Sequence, residues 1–339
     1  MAPPSVSAIM DSRFQVITPA NASRLKQVGQ LGPGLPSYSS GQKLAFEPNG
    51  TALLALSNRG ALLRWWDVRA PSEGPLHAHE QRLEGNAAMF LDAERVLAVA
   101  PANRSPSGLW RPRLVLLSTK DGSLMREHHL AHAVTLFAMS PGGERALLIP
   151  LDGDAPLIWD VKSWRPHCEL APLDTGVSLT ACALSPDGRF AAATVTPDDE
   201  RKENLWLWDI ADGARPVALS IEAPTTWSLA FHPTESLLVV GGNTEDVAVV
   251  HVGERRLVRT LHGFSGYACN LNFNPQGDLL AASRDGQGFG VHHFDTGEEL
   301  FSISDQDSLQ TSDALFSPDG RLVAWGRGDG TVDLWAVTD

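Results

Sequence analysis

One phrase returns along the 339 residues at the spacing of a small β-sheet, and it restricts the fold more than any other feature. An apolar pair enters a turn built on proline, a second apolar run follows, then a loop, then a strand ending in Trp-Asp. The turns fall at Phe46–Gly50, Met139–Gly143, Leu184–Gly188, Phe231–Glu235, Phe273–Gly277 and Phe316–Gly320. Their prolines (Pro48, Pro141, Pro186, Pro233, Pro275 and Pro318) are 93, 45, 47, 42 and 43 residues apart. The first gap is two periods, and its midpoint holds FLDAERVLAV at 90–99, a turn without the proline. The chain therefore contains seven units.

The chemistry of one unit dictates its shape. In Ser-Pro-Asp-Gly, proline presets φ, aspartate suits the next position, and glycine takes the positive φ that closes a hairpin. The flanking runs, such as Leu322–Trp325 and Leu205–Trp208, are apolar at nearly every position. A strand with one wet face alternates, so these strands are expected to be buried on both faces. Repeats in the forties with this pattern indicate blades packed around an axis. The expected fold is all-β, a seven-bladed β-propeller of four-stranded antiparallel blades.

The chain resembles the WD-repeat β-propeller family over about residues 22 to 339. The residues that carry the likeness are Trp66-Asp67, Trp159-Asp160, Trp208-Asp209, Phe294-Asp295 as a variant, and Leu334-Trp335 in the last unit. DGTVDLW at 329–335 matches the family's b–c turn and c strand. Family members often carry Gly-His about eleven residues before the turn proline, where histidine joins a buried network with Asp and Trp. Here those positions hold Ser37, Thr175, Glu222, Phe264 and Asp307. Most of that network is missing, and each blade must rely more on packing.

The last unit stops at Ala336–Asp339, with no sequence for a fourth strand. Residues 23–34 (SRLKQVGQLGPG) mirror the outer strand at 254–266 (ERRLVRTLHGFSG). Residues 24–31, within a segment 22–32, are thus expected to supply the outer strand of the last blade and remove a sheet edge. Residues 1–21 read as an N-terminal extension and 22–339 as the propeller.

A net charge of −13 argues against a general nucleic-acid or anionic-membrane surface. The three cysteines, Cys168, Cys182 and Cys269, form no CxxC pair and read as free thiols, with Cys182 in a buried strand. The N-terminus lacks a basic region followed by an apolar one, and no run approaches 18 apolar residues. Together these features point to a cytoplasmic protein. Lysine occurs only at 26, 43, 120, 162 and 202, and this arginine bias suggests a GC-rich, bacterial source.

Catalytic motifs are not recognisable: there is no HExxH, GxSxG or GxxxxGK. Asp152 and Asp154 occupy a b–c turn, and no further ligands follow at calcium-loop spacing. GQGFG at 286–290 enters a strand without a helix behind it. His128, His129 and His132 lie near the outer strand of the third unit, where His129 and His132 could share an ion or form a solvated edge. His292 and His293 are strand neighbours pointing to opposite faces. Arg327–Asp329 (RGD) and Asn49–Thr51 (NGT) belong to hairpins that the repeat explains. Trp66–Arg69 (WDVR) matches an adaptor-contacting strand end in some ubiquitin-ligase propellers, or ends in an ordinary solvent-facing Arg69. No catalytic, cofactor or metal site is expected.

What remains is surface. In this family the d–a and b–c connections share one face, and the a–b and c–d turns share the other. Two b–c connections are long, 101–113 and 196–204, and long loops on a rigid scaffold are where recognition is placed. The first carries Trp110 with Arg104, Arg111 and Arg113, and the second carries Arg201. Trp with Arg is hot-spot chemistry, although Trp110 could instead fold back as a plug over its blade. Arg59, Arg284 and Arg327 stand in b–c turns of units that become neighbours on closure. They could receive a carboxylate or phosphate, or pair with local acids such as Asp285 or Asp329. The function expected is a non-enzymatic scaffold binding a protein or an acidic peptide. The alternative is an enzyme or small-ligand propeller with its site at the channel mouth.

Overall fold

A computed structural model describes residues 14–32, 42–57, 62–68, 77–80, 88–150, 155–172, 179–195, 203–211, 215–221, 226–264, 268–284, 288–304, 313–327 and 330–338. Seven separate four-stranded sheets account for all its strands. β1 (Lys26–Leu31) comes first in the chain but lies in the last sheet. Blade one is β2 (Gln42–Phe46), β3 (Ala52–Ser57), β4 (Leu62–Asp67) and β5 (His77–Glu80). Blade two is β6 (Ala88–Asp92), β7 (Arg95–Arg104), β8 (Trp110–Ser118) and β9 (Leu124–His129). Blade three is β10 (Val134–Met139), β11 (Arg145–Pro150), β12 (Leu157–Asp160) and β13 (Arg165–Glu169). Blade four is β14 (Leu179–Leu184), β15 (Phe190–Val195), β16 (Leu205–Asp209) and β17 (Val217–Leu219). Blade five is β18 (Thr226–Phe231), β19 (Leu237–Gly242), β20 (Val247–His251) and β21 (Arg256–Leu261). Blade six is β22 (Ala268–Phe273), β23 (Leu279–Arg284), β24 (Gly288–His293) and β25 (Glu299–Ile303). Blade seven is β26 (Ala314–Phe316), β27 (Leu322–Gly326) and β28 (Val332–Ala336), with β1 at its outer edge. All pairs are antiparallel, so each blade is an a–b–c–d meander.

The core is divided by seam rather than by blade. Among the described residues there are seven apolar clusters, and each joins two consecutive blades. The seam between blades seven and one is built like the others: Leu31, Leu322 and Val332 meet Leu44, Leu53 and Trp66. The second strands therefore lose both faces to neighbours, as β11, β15, β19 and β27 show along nearly their whole length and β7 shows over Val96 to Ala100. Outer strands such as β9 and β13 stay largely exposed. That gradient is what runs of unbroken apolar residues flanked by charged strands require.

The a–b turns weld the seams on one face. In five of them the glycine N–H donates to the carbonyl of the residue before proline, at 2.7 to 3.1 Å. The side chain of that same residue accepts the N–H that restarts the next strand at Ser140, Ser185, Ser317 and Asn274, and Glu47 accepts the N–H of Thr51, just before its strand. Each turn also receives the preceding blade. His232 reaches Gly277 O at 3.1 Å, and Arg145 reaches Gly188 O at 2.7 Å. A Cβ on Gly277 would stand 2.2 Å from His232 Nε2 at φ +83, so glycine is needed there for both space and conformation.

The c–d turns use the residue after the recurring tryptophan position of the third strand. Asp160 Oδ1 accepts from Ser163 N, and Asp209 Oδ1 from Ala211 N. In blades five and six His251 and His293 cap the same turn through Nδ1. This register corrects one sequence expectation. His292, opposite Leu280, holds the place that Trp208 holds opposite Ala191, so the Trp-Asp equivalent in blade six is His292-His293 and not Phe294-Asp295. His292 is buried and stacks on Phe264 at 4.0 Å, filling the slot with a smaller ring.

The missing histidine network leaves a trace. Among the described residues Trp66, Trp159 and Trp335 bury indole N–H groups without a hydrogen-bond partner. Each costs about 1–3 kcal/mol, which the seam packing offsets. Cys182 differs from expectation: it lies half-buried on the first strand of blade four, as the free thiol Cys168 does on the fourth strand of blade three. The side chain of Cys269 lies outside the described residues.

The chain ends meet in blade seven. β1 pairs with β28 from Lys26↔Ala336 to Leu31↔Val332, and Gln27 and Gln30 both donate to Asp333 at 2.9 Å. Upstream, Gln15 N donates to Val337 O, Ile17 N donates to Gly320 O, and Arg321 donates to Phe14 O. Ile17 is fully buried. The described part of the N-terminal extension thus lies against the last blade.

Two outcomes follow from these contacts. Deleting residues 1–32 removes β1 and the Ile17 anchor together. The expected result is aggregation or a large drop in Tm, and a truncated chain that melts like the intact one refutes it. Asp209 is held below the ordinary carboxylate range by the Arg189 guanidinium 2.8 Å away, against the opposing effect of burial. A depressed folded pKa stabilises above the unfolded value, about 4, and the gain is lost as pH falls through the folded one. Asp209→Asn should cost about 1 kcal/mol at pH 7, a modest figure because Arg189 is solvent-exposed. Urea melts should show the gap to the parent closing below about pH 4.

Candidate interaction face

Antiparallel meanders put the b–c and d–a connections on one face. There, among the described residues, the largest departure from uniformity is the b–c connection of blade two, and it is not a loop. β7 and β8 run on past their neighbours as a two-stranded arm, with Ala100↔Arg113, Asn103↔Arg111 and Arg104↔Trp110 in register. The tip is tight: Ser105 N donates to Leu109 O at 2.7 Å and Gly108 N to Ser105 O at 2.8 Å. Gly108 supplies the positive φ, and Ser105 Oγ lies 2.9 Å from Ser107 Oγ. The sequence PANRSPSGLWRPR thus encodes a hairpin, with Ser-Pro-Ser-Gly as its turn.

The arm decides the position of Trp110. Its side chain is 72% exposed, and its neighbour Leu109 is 54% exposed. The plug alternative does not hold, since a ring folded over the blade would be buried. Arg104, across the ladder from Trp110, is exposed as well. Arg111 reaches Ala131 O at 3.3 Å. Arg113 stands apart from these. It is mostly buried at the arm's base, bonded to Glu127 at 2.8 Å and to Pro101 O at 3.4 Å, and it braces the hairpin. Leu109 was missed by sequence reasoning; its exposure follows only once the turn is placed at 105–109.

Of the second connection, only Glu203 and Asn204 are described. Asn204 is buried and exchanges two hydrogen bonds with Ile221, at 2.7 and 2.9 Å. Arg201 lies outside the described residues. So do Arg59, the side chain of Arg284, Asp152, Asp154, Arg69, and Gly328-Asp329 of the tripeptide. Arg327 is described: it is 3.5 Å from Asp333 and lies over Trp325 at 5.9 Å. Asn49–Thr51 forms the a–b turn of blade one, with Asn49 and Thr51 both bonded to Glu47. Gly288 to Gly290 of the GQGFG run lie in β24, where a Cβ at Gly288 would meet Ile303 O at 2.0 Å.

The histidine cluster sits elsewhere than expected. His128 and His129 belong to the outer strand of blade two, not of the third unit. His128 packs against Trp159 at 4.6 Å, and burial, then the neighbouring His129, lowers its pKa. Among the described residues no three His, Cys, Asp or Glu side chains are placed to hold a metal ion.

The inner strands spend their polar side chains on each other. Ser228 accepts Leu271 N at 2.7 Å, Asn272 accepts Phe316 N at 2.9 Å, and Asp313 accepts Leu44 N at 2.8 Å. Thr180 donates to Thr226 O. An inner strand has a bare edge toward the channel, and these side chains satisfy part of it from the blade before.

No family model matches the chain. A segment of 149 residues is 24% identical to WD repeat-containing protein SL1-17 of Schistosoma mansoni, covering 44% of this chain and 49% of that protein. The match therefore spans about half the length of the relative. No described helix is long and apolar enough to cross a membrane.

Proposed function

We propose that this WD-repeat β-propeller is a non-enzymatic scaffold that binds a protein or peptide partner on the face bearing the b–c and d–a connections. The carrying observation is the hairpin arm of blade two, which holds Trp110 and Leu109 in solvent on a regular two-stranded support. Exposing a tryptophan and a leucine together is costly in water, and the cost is recovered when a partner covers them. A β-hairpin fixes both side chains in advance, so little ordering entropy is spent on contact. Arg104 and Arg111 flank the ring, and guanidinium groups beside an aromatic anchor suit a carboxylate-bearing peptide. Arg113 holds the arm's base. Arg201 and the group Arg59, Arg284 and Arg327 extend the proposed contact surface around the same face.

The family resemblance supports a scaffold role, as does the use of inner-strand polar groups in seams between blades rather than toward a channel ligand. A cytoplasmic location belongs to the same proposal. The test begins with affinity purification from the native source. Against the partner so identified, Trp110→Ala and Arg104→Ala/Arg111→Ala should each weaken binding roughly thirtyfold, about 2 kcal/mol. The Tm should change little, because Trp110 and Arg104 stand in solvent and Arg111 gives up only its long bond to Ala131 O. Normal binding by both variants, with loss on changing the opposite face, refutes the assignment.

A further inference from the structure

The opposite face carries a feature that the repeat itself exposes. Five a–b turns put a glycine fourth, after Ser-Pro-Asp or its variants, and blade two closes with the two-residue turn Ala93-Glu94. Blade five differs from both. His232-Pro233-Thr234-Glu235 places glutamate where the others have glycine, and Glu235 does not take the positive φ. The turn is held another way: His232 Nδ1 accepts from Thr234 N and Glu235 N, at 3.3 and 3.0 Å. Elsewhere the preceding blade packs down on bare glycine, as Arg145 does on Gly188 and His232 on Gly277. At the seam between blades four and five that contact is replaced by a cavity of about 130 Å³.

Its lining is part apolar and part polar, and the polar part includes Ser185, His232, Thr234 and Ser236 beside two carboxylates. Pro186, Phe190, Phe231 and Pro233 line it, with the carboxylates of Asp187 and Glu235. Asp187 has one oxygen engaged by Ser185 Oγ at 2.5 Å and Arg189 N at 3.0 Å. Burial pushes its pKa up, but those hydrogen bonds prevail and hold it below the usual carboxylate range, so it is ionised at neutral pH. Among the described residues no Lys or Arg lines the cavity. Arg189 stands beside it, stacked on Phe190 at 4.9 Å, with its guanidinium turned to Asp209. The volume is far below the roughly 300–1,000 Å³ of a metabolite site and suits one side chain.

We infer that this cavity receives a single lysine or arginine side chain of a partner peptide. The aliphatic stem lies between the prolines and phenylalanines, and the cationic head meets Asp187 and Glu235. Long basic side chains divide in this way between an apolar wall and a charged rim. The occupant is cationic by charge complementarity, both locally and against a net charge of −13. This site lies on the other face from the hairpin arm and does not depend on the reading given above.

Capped tripeptides Ac-Gly-Lys-Gly-NH2, Ac-Gly-Arg-Gly-NH2, Ac-Gly-Nle-Gly-NH2 and Ac-Gly-Glu-Gly-NH2, titrated into the full chain with amide NMR detection, test it. The lysine or arginine peptide should shift the amides of 185–190 and 232–236 saturably, with Kd on the order of millimolar. Glu235→Gln should weaken that binding several-fold. Glu235→Gly, which restores the turn of the other blades, should abolish it while the melting temperature holds or rises. Equal shifts from the norleucine peptide, shifts mapping elsewhere, no saturable shift from either cationic peptide, or undiminished binding by Glu235→Gly would each overturn the inference.

Discussion

Packing between blades is the interaction on which everything else rests. A single blade buries neither face by itself, and its second and third strands are apolar on both sides. Only a neighbour on each side removes that surface from water, at roughly 25 cal/mol per Å². Seven such seams form a closed cycle, including Leu31, Leu322 and Val332 against Leu44, Leu53 and Trp66. The blades thus depend on one another in a ring, as stacked repeats depend on their neighbours in a line. This also accounts for the tolerance of unpartnered indole groups at Trp66, Trp159 and Trp335. Large buried rings contribute enough at each seam to offset a lost hydrogen bond.

The turn is the second constraint, and it explains where the ring departs from uniformity. Glycine in the a–b turn permits positive φ, and it also lets the preceding blade approach the backbone closely. Proline and glycine on one face therefore make a flat, tightly sealed surface. Where the glycine is replaced, at Glu235, the seal opens into a cavity with a carboxylate at its rim. On the other face the repeat carries no such proline and glycine turn. Insertions there are cheap, and blade two uses one to extend its ladder into an arm.

Much of this was legible in the sequence. The count of seven came from proline spacing, because each unit must repeat the same turn chemistry to repeat the same hairpin. Double-sided burial came from the absence of alternation. The histidines of blade six were harder. Phe294-Asp295 looks like a Trp-Asp variant by residue type, whereas counting back five residues from the c–d turn glycine, Gly297, lands on His292. In blade three the same turn position is held by Trp164 at φ 55, so glycine alone would not have marked it. The connection at 101–113 was read as a loop because Pro, Ser and Gly dominate it. In fact those residues fill only the tip, and the arms on either side continue the strands.

The sequence by itself determined the periodic part of this protein: seven units, four strands each, apolar seams and a face of tight turns. Local turn chemistry and strand patterning are properties of short segments, and short segments are what a sequence displays directly. The tertiary structure decided which side chains are left over. Trp110 is exposed because its strand outruns the neighbouring outer strand, and Arg113 is consumed because Glu127, two positions along that outer strand from its ladder partner His129, lies 2.8 Å away. The cavity at Glu235 exists because two blades meet there without a glycine between them. Each of these is a relation between elements far apart in the chain, set by how the blades stack, and no single repeat contains it.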